Sequence, residues 1–239
     1  MAGRETINVK IVRLCSSFTP IMLMAKVSFM WRNVFIVLTV IACVAGGGVW
    51  AQWRSVPPAL AELEVRESYL GAYSRDAFGQ KWSDDVSVEG GHNGCDTRND
   101  VLRTQLRKVV VKPGTRGCVV LSGVLHDPYS GEVFAFQRGA KTSGQVQIDH
   151  VVALANAWQT GAFSWDDEKR RNFANDPRNL LAVKGSLNEQ KKAADAAGWL
   201  PPQGRCEYAA RQVEVKAAYG LWVTAEEKEA LRRVLEGCG

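Results

Sequence analysis

The chain has no C-x-x-C pair, no internal repeat and no low-complexity tract, and only three of its 239 residues are histidine. Without C-x-x-C spacing a zinc knuckle is disfavoured. With 46% hydrophobic residues and eight tryptophans the chain reads as globular, long enough for a leader and one domain with an ample core. A surplus of charge is also missing where it would count. The formal net charge is +5, but residues 1–51 hold five Lys/Arg and one Glu, which leaves 25 positive and 24 negative side chains in residues 52–239, a net of +1. Affinity for a polyanion must therefore come from a local patch, not from global charge.

The N-terminal region has its own character. Residues 33–53 carry no formal charge, with Arg32 before them and Arg54 after. About 20 apolar residues span a bilayer, so this run fits a signal peptide or a single membrane anchor. Val49-Trp50-Ala51 suits cleavage before Gln52, and Val40-Ile41-Ala42-Cys43 suits lipidation at Cys43. Cleavage, a retained anchor and lipidation stay open, and all three export the domain. Met30-Trp31-Arg32-Asn33 is the expected start of translation. Residues 1–51 are thus a leader, 52–72 a linker with a short helix, and 73–239 one domain. Cys95, Cys118, Cys206 and Cys238 remain outside the leader, an even number in an exported chain, so two disulfides are expected. Of the three pairings, Cys95–Cys118 and Cys206–Cys238 each bracket a continuous segment.

Along the domain, Leu60, Leu63, Val65 and Leu70 sit at loosely helical spacing. A turn-rich run, Gly79 to Gly94, holds His92, which reads as a solvated loop histidine. Asp96-Thr97 caps a helix with an apolar face at Val101, Leu102 and Leu106. Six basic residues between Arg98 and Arg116 stand against one acid, Asp100, as the best local candidate for a phosphate-facing surface, although Arg103, Lys108 and Lys112 read as an ordinary solvated face. Val109–Val111, Cys118–Leu125 and Glu132–Phe136 read as strands, the last two joined by the Asp127–Gly131 turn. His126 sits at that turn and takes no assigned role. Helices are expected over Val151–Trp158, Asp166–Phe173, Arg211–Leu221 and Ala225–Leu235, with Trp158, Phe163 and Trp165 as core aromatics. Ser186 and Glu189 suit a capping box for the helix that carries Asn188 and, one turn on, Lys191.

The stretch from Val146 to Lys192 organises the rest. A short apolar strand ends in Asp149-His150, a second begins after Asn179, and a polar helix carries Asn188. Strand, strand and helix of this kind can bring a carboxylate, an imidazole and an amide oxygen to one point. The ordered set Asp149-His150, Asn179, Asn188 resembles the H-N-H motif of the ββα-metal endonucleases, in the variant with Asn last. The flanking "GCDTRNDVL" and "NDPRNLLAVKGSLNEQKKAADAAGWLPP" resemble the HNH-family endonucleases of bacterial secreted proteins, a likeness that covers Tyr73 to Cys238.

That resemblance implies an α+β domain in which a ββα-metal core at residues 146–192 is embedded among helices and a β-hairpin. It implies a metal-dependent endonuclease that hydrolyses DNA with little sequence specificity; RNA stays open as a substrate, and an immunity protein is a partner if the enzyme is a toxin. His150 would be the general base, with an ordinary pKa near ~6.5. Asp149 and Asn188 would be the metal ligands, and two oxygen donors favour Mg²⁺ or Mn²⁺. Asn179 would brace the motif and fix the orientation of His150, and Arg98 and Lys191 would contact phosphate. Neighbouring strand residues point to opposite faces, so Asp149 and His150 can share a site only if the strand ends or bulges there. The alternative is a non-catalytic binding module reusing the fold.

Overall fold

The computed structural model describes residues 57–238. The leader with Cys43 and Met30, and residues 52–56, lie outside the described residues. Two antiparallel sheets and seven α-helices make a mixed α+β domain.

The first helix, α1 (Pro58–Glu62), is shorter than the apolar spacing suggests. Leu60 and Leu63 are buried against the C-terminal helices, but Val65 and Leu70 are exposed, and the chain from Leu63 on is extended. It bridges Val223 through Val65, and Tyr69 N–H donates to the Gln159 carbonyl at 2.8 Å. Backbone pairing to the domain replaces the second turn of helix. A 3-10 turn over Arg75–Phe78 comes next, with Phe78 fully buried.

Asp96 caps α2 (Thr97–Gln105) by accepting from Asn99 N–H at 2.9 Å. Val101, Leu102 and Leu106 pack on the meander β1 (Arg107–Val111), β2 (Val120–His126) and β3 (Val133–Gln137). The β2–β3 hairpin turns at Asp127–Gly131, where Gly131 takes φ 73°, a left-handed value natural to glycine. The disulfides are Cys95–Cys118 and Cys206–Cys238, the pairing expected from the sequence. The first ties α2's entry to β2, and the second ties α6 (Arg205–Tyr219) to the end of α7 (Ala225–Glu236).

The second sheet is a ribbon of β4 (Val146–His150) and β5 (Leu180–Lys184), followed directly by α5 (Gly185–Lys191). Between the strands lie α3 (Leu154–Gln159) and α4 (Asp167–Asn175). Helix α3 begins three residues later than expected because hydrogen bonds with Asn179 hold residues 151–152 in a bend. Helix α6 starts six residues earlier than expected, at Arg205. The anticipated Ser186 cap is absent: α5 starts at Gly185 with no side-chain cap, and Glu189 accepts from Gln147 Nε2 at 2.9 Å instead. A side chain at Gly185 is excluded, since a Cβ there would lie 2.1 Å from the Gly144 carbonyl oxygen. That close approach sets α5 against the entry to β4.

Candidate active site

β4 places two consecutive polar side chains at one end of the ribbon. Its register with β5 runs from Val146↔Lys184 to His150↔Leu180 without a bulge. Asp149 therefore leaves the strand on the side of α5, and His150 on the opposite side, toward Trp82. Both still border one cleft of about 300 Å³, because β4 ends at His150. Of the two geometric conditions the sequence posed, the strand end is the one met. Asn188 borders the same cleft from the first turn of α5.

His150 Nε2 lies 2.8 Å from the carbonyl oxygen of Ala174. A carbonyl only accepts, so Nε2 carries the hydrogen and the neutral ring keeps its lone pair on Nδ1. The Trp82 indole stacks on the imidazole, with centroids 5.7 Å apart and planes 6° from parallel. Burial pushes the imidazole pKa down to about 4; the contact with the Ala174 carbonyl opposes this, while the charges of Lys191 and Arg75 add to it. The ring is thus a neutral base at ordinary pH.

Asp149 is buried and both of its oxygens are engaged. Oδ1 accepts from Lys191 Nζ at 2.8 Å, and Oδ2 from the Tyr129 hydroxyl at 2.5 Å. Burial raises its pKa, and the Lys191 ammonium and the Tyr129 hydroxyl pull it partly back. Lys191 also donates to the His150 carbonyl at 2.7 Å, and its side chain is wholly buried. It therefore does not face the cleft as the sequence suggested; its length is spent holding Asp149 and the backbone of His150.

Asn179 is fully buried and clamps the chain just beyond His150. Its Oδ1 accepts from Val152 N–H at 2.8 Å, its Nδ2 donates to the Val152 carbonyl at 3.2 Å, and its own carbonyl accepts from Val151 N–H at 2.8 Å. Its contacts are to the backbone of Val151 and Val152, whereas the ring of His150 contacts Ala174 and Trp82 and not Asn179. Arg98 also departs from expectation. Its Nη2 donates to the carbonyls of Val146 at 2.9 Å and Ser143 at 3.3 Å, so it fixes the entry to β4 away from the cleft. Burial, then the charge of Arg138, lowers its pKa.

The resemblance implies a divalent cation, so the donor set can be tested for fit. Asn188 uses Nδ2 to donate to Gln147 Oε1 at 2.8 Å, which leaves its Oδ1 as the acceptor. Each Asp149 oxygen already takes one hydrogen bond, but a carboxylate has about four lone-pair sites, so one more contact is available. Two oxygen donors at one cleft suit a hard cation whose other positions are water and phosphate. Among the described residues no group of three or more His, Cys, Asp or Glu forms a ready cage.

Several residues around the site have no local sequence signal. Tyr129 reads as part of a turn, yet it meets a carboxylate 20 residues later. Trp82 lies in the turn-rich run, with φ 57°. Tyr73, Arg75 and Lys192 complete the cleft's rim.

Comparison with known proteins agrees with a nuclease relationship. Residues 96–234 match the family described as GmrSD restriction endonucleases, C-terminal domain. A protein of the fungus Arthroderma benhamiae described as an uncharacterized secreted protein is 37% identical over 184 residues, covering 75% of this chain and 82% of that relative. The likeness is thus not confined to bacteria. No solved structure matches. Tyr73, Arg75 and Trp82 lie before the matched segment, whereas Asp149, His150, Asn179 and Asn188 all lie within it, and the chain belongs to the family of the GmrSD restriction endonuclease C-terminal domain.

Proposed function

We propose that the protein is an exported, metal-dependent endonuclease with an HNH-type ββα core, hydrolysing DNA phosphodiesters with little sequence specificity. The observation that carries this reading is a neutral imidazole, held through Nε2, beside a carboxylate and an amide oxygen at one cleft. The β4–β5–α5 order is the strand, strand and helix such a core requires. The family match supports nuclease chemistry, and the secreted relative together with the two disulfides supports export. Among the described residues no helix is long and apolar enough to cross a membrane.

His150 Nδ1 takes a proton from a water as that water's oxygen attacks phosphorus, and the bond to the 3′ oxygen breaks. The departing oxygen takes a proton from solvent, leaving 5′-phosphate and 3′-hydroxyl ends. Asp149 and Asn188 would hold Mg²⁺ or Mn²⁺, which would supply positive charge for the phosphate and the leaving oxygen. Asn179, through residues 151–152, keeps the base at the end of β4, and Lys191 keeps Asp149 aligned.

The test is plasmid nicking by the full oxidised chain in Mg²⁺, in Mn²⁺ and in EDTA, with His150→Ala beside it. General-base contributions are typically ~10²–10⁴-fold, so the variant should fall by that order while keeping the wild-type unfolding transition. Metal-independent nicking, or nicking equal in the variant, overturns the assignment. A non-catalytic binding module is the second reading, favoured by the hydrogen bond that each oxygen of Asp149 already takes from protein; it would bind DNA in EDTA and never shorten it.

A further inference from the structure

Arg98 and Lys191, the cations that sequence reasoning sends to the substrate, are both turned inward, yet the cleft is not without positive charge. Arg75 stands on one rim and Lys192 on another, and both border the cavity that holds His150, Asp149 and Asn188.

Arg75 is mounted on a rigid turn. Ser74 caps that turn by accepting from Asp76 N–H at 3.2 Å, and Phe78 anchors it in the core with Val152, Leu154 and Phe173. Arg170 Nε donates to the Ala77 carbonyl at 2.9 Å. The guanidinium gives one hydrogen bond to protein, from Nη1 to the Gly79 carbonyl at 3.0 Å, out of five N–H groups. Among the described residues no carboxylate pairs with it. Its charge reaches both neighbours, opposing the burial-driven rise of the Tyr73 hydroxyl and adding to the depression of His150. Lys192 is exposed at the end of α5, with φ 53° and its N–H on the Asn188 carbonyl at 3.0 Å, so the backbone of the ligand-bearing helix positions it. It too forms no ion pair among the described residues.

We propose that Arg75 and Lys192 bind the phosphates of the nucleic-acid strand on either side of the base. The wall before Asp96 is then part of the substrate site, although the family match does not reach it. The inference rests on the nuclease reading for its substrate, but a guanidinium and an ammonium that bind backbone phosphate do so with or without chemistry.

The experiment separates the two. Anisotropy of a short fluorescent DNA duplex would be followed in EDTA over a range of NaCl with the full oxidised chain, and nicking measured in parallel with Mg²⁺ and Mn²⁺. The variants are Arg75→Gln, which keeps a donor for the Gly79 carbonyl and removes the charge, Arg75→Lys, Lys192→Ala, and Lys112→Ala as an exposed cation at the end of β1. Each lost phosphate contact should lower the slope of log K against log salt by about 1, uniformly across duplex sequences. That loss is expected for Arg75→Gln and Lys192→Ala, with the slope retained in Arg75→Lys and in Lys112→Ala. Unchanged slopes in Arg75→Gln and Lys192→Ala overturn the proposal even if the wild type nicks DNA. A wild type that fails to bind DNA at low salt overturns it as well. Reduced slopes in a protein that never nicks would uphold the phosphate site and sink the nuclease.

Discussion

Among the described residues two lysines are wholly buried, each against a carboxylate at 2.8 Å, and they have different consequences. Lys216 Nζ meets Glu227 between α6 and α7, and both side chains are fully shielded. Lys191 Nζ meets Asp149 behind the cleft. The remaining hydrogen bonds differ. Lys216 also donates to the Trp222 carbonyl at 3.1 Å and so fixes the loop of a helical hairpin already closed by Cys206–Cys238. Lys191 also donates to the His150 carbonyl, and Asp149 has a second partner in Tyr129. One pair joins two helices; the other ties a helix to the backbone of His150 and borders the cleft. Buried ion pairs seldom add net stability relative to an apolar core, so we expect the pair beside the cleft to serve the site.

Either pair can be removed without the other. The largest effect is expected at the helical pair. Burial lowers the Lys216 pKa against the pull of Glu227, and burial raises that of Glu227 against the pull of Lys216. Glu227→Gln strands an ammonium and should cost about 3–5 kcal/mol in denaturant unfolding, while Lys216→Met combined with Glu227→Leu should recover most of it. Activity per folded molecule should match wild type in both. Lys191→Met should cost less stability, because Asp149 keeps the Tyr129 hydroxyl and can take up a proton. Its nicking activity should instead fall about 10–100-fold at full folding, as for other groups that orient metal ligands. Equal activity losses at the two pairs would erase the distinction.

The contrast also marks what the sequence could and could not reveal. The strand ends, Asp149-His150, Asn179 and Asn188 were legible because each arises from a local pattern of apolar run, turn and polar helix. Both disulfides were legible because cysteine is chemically specific and few pairings exist. The inward turn of Lys191 was not, since helical spacing gives a side chain's face but not its depth. Nor was Arg98, whose guanidinium is drawn to two backbone carbonyls 45 and 48 residues on. Tyr129 and Trp82 meet the site through tertiary packing alone. The false second turn of α1 has the same origin: apolar periodicity at Val65 and Leu70 records no burial, and pairing with Val223 decides the backbone.

Asp176 is one link between the two regions, and there the smallest effect is expected. Asp176 is buried at the start of the turn that carries Asn179. It accepts from Arg178 N–H at 2.8 Å, from the Arg178 guanidinium at 2.6 Å, and from the Tyr219 hydroxyl of α6 at 2.7 Å. Burial alone would raise its pKa, but the hydrogen bonds of Arg178 and Tyr219 together outweigh it, and the carboxyl lies below its ordinary value. A group with a depressed folded pKa stabilises the fold fully above its unfolded value, near ~3.9. That contribution fades as pH falls through the lower folded pKa, because the unfolded chain takes the proton first. Asp176→Asn should therefore be less stable than wild type at pH 7, and the gap should narrow as denaturant unfolding is repeated below about pH 4. If the link carries position as well as charge, the variant should also lose protection from amide exchange at Val152, whose N–H depends on Asn179. A gap that stays constant with pH would place the stabilisation in the shape of the turn and not in the carboxylate's charge.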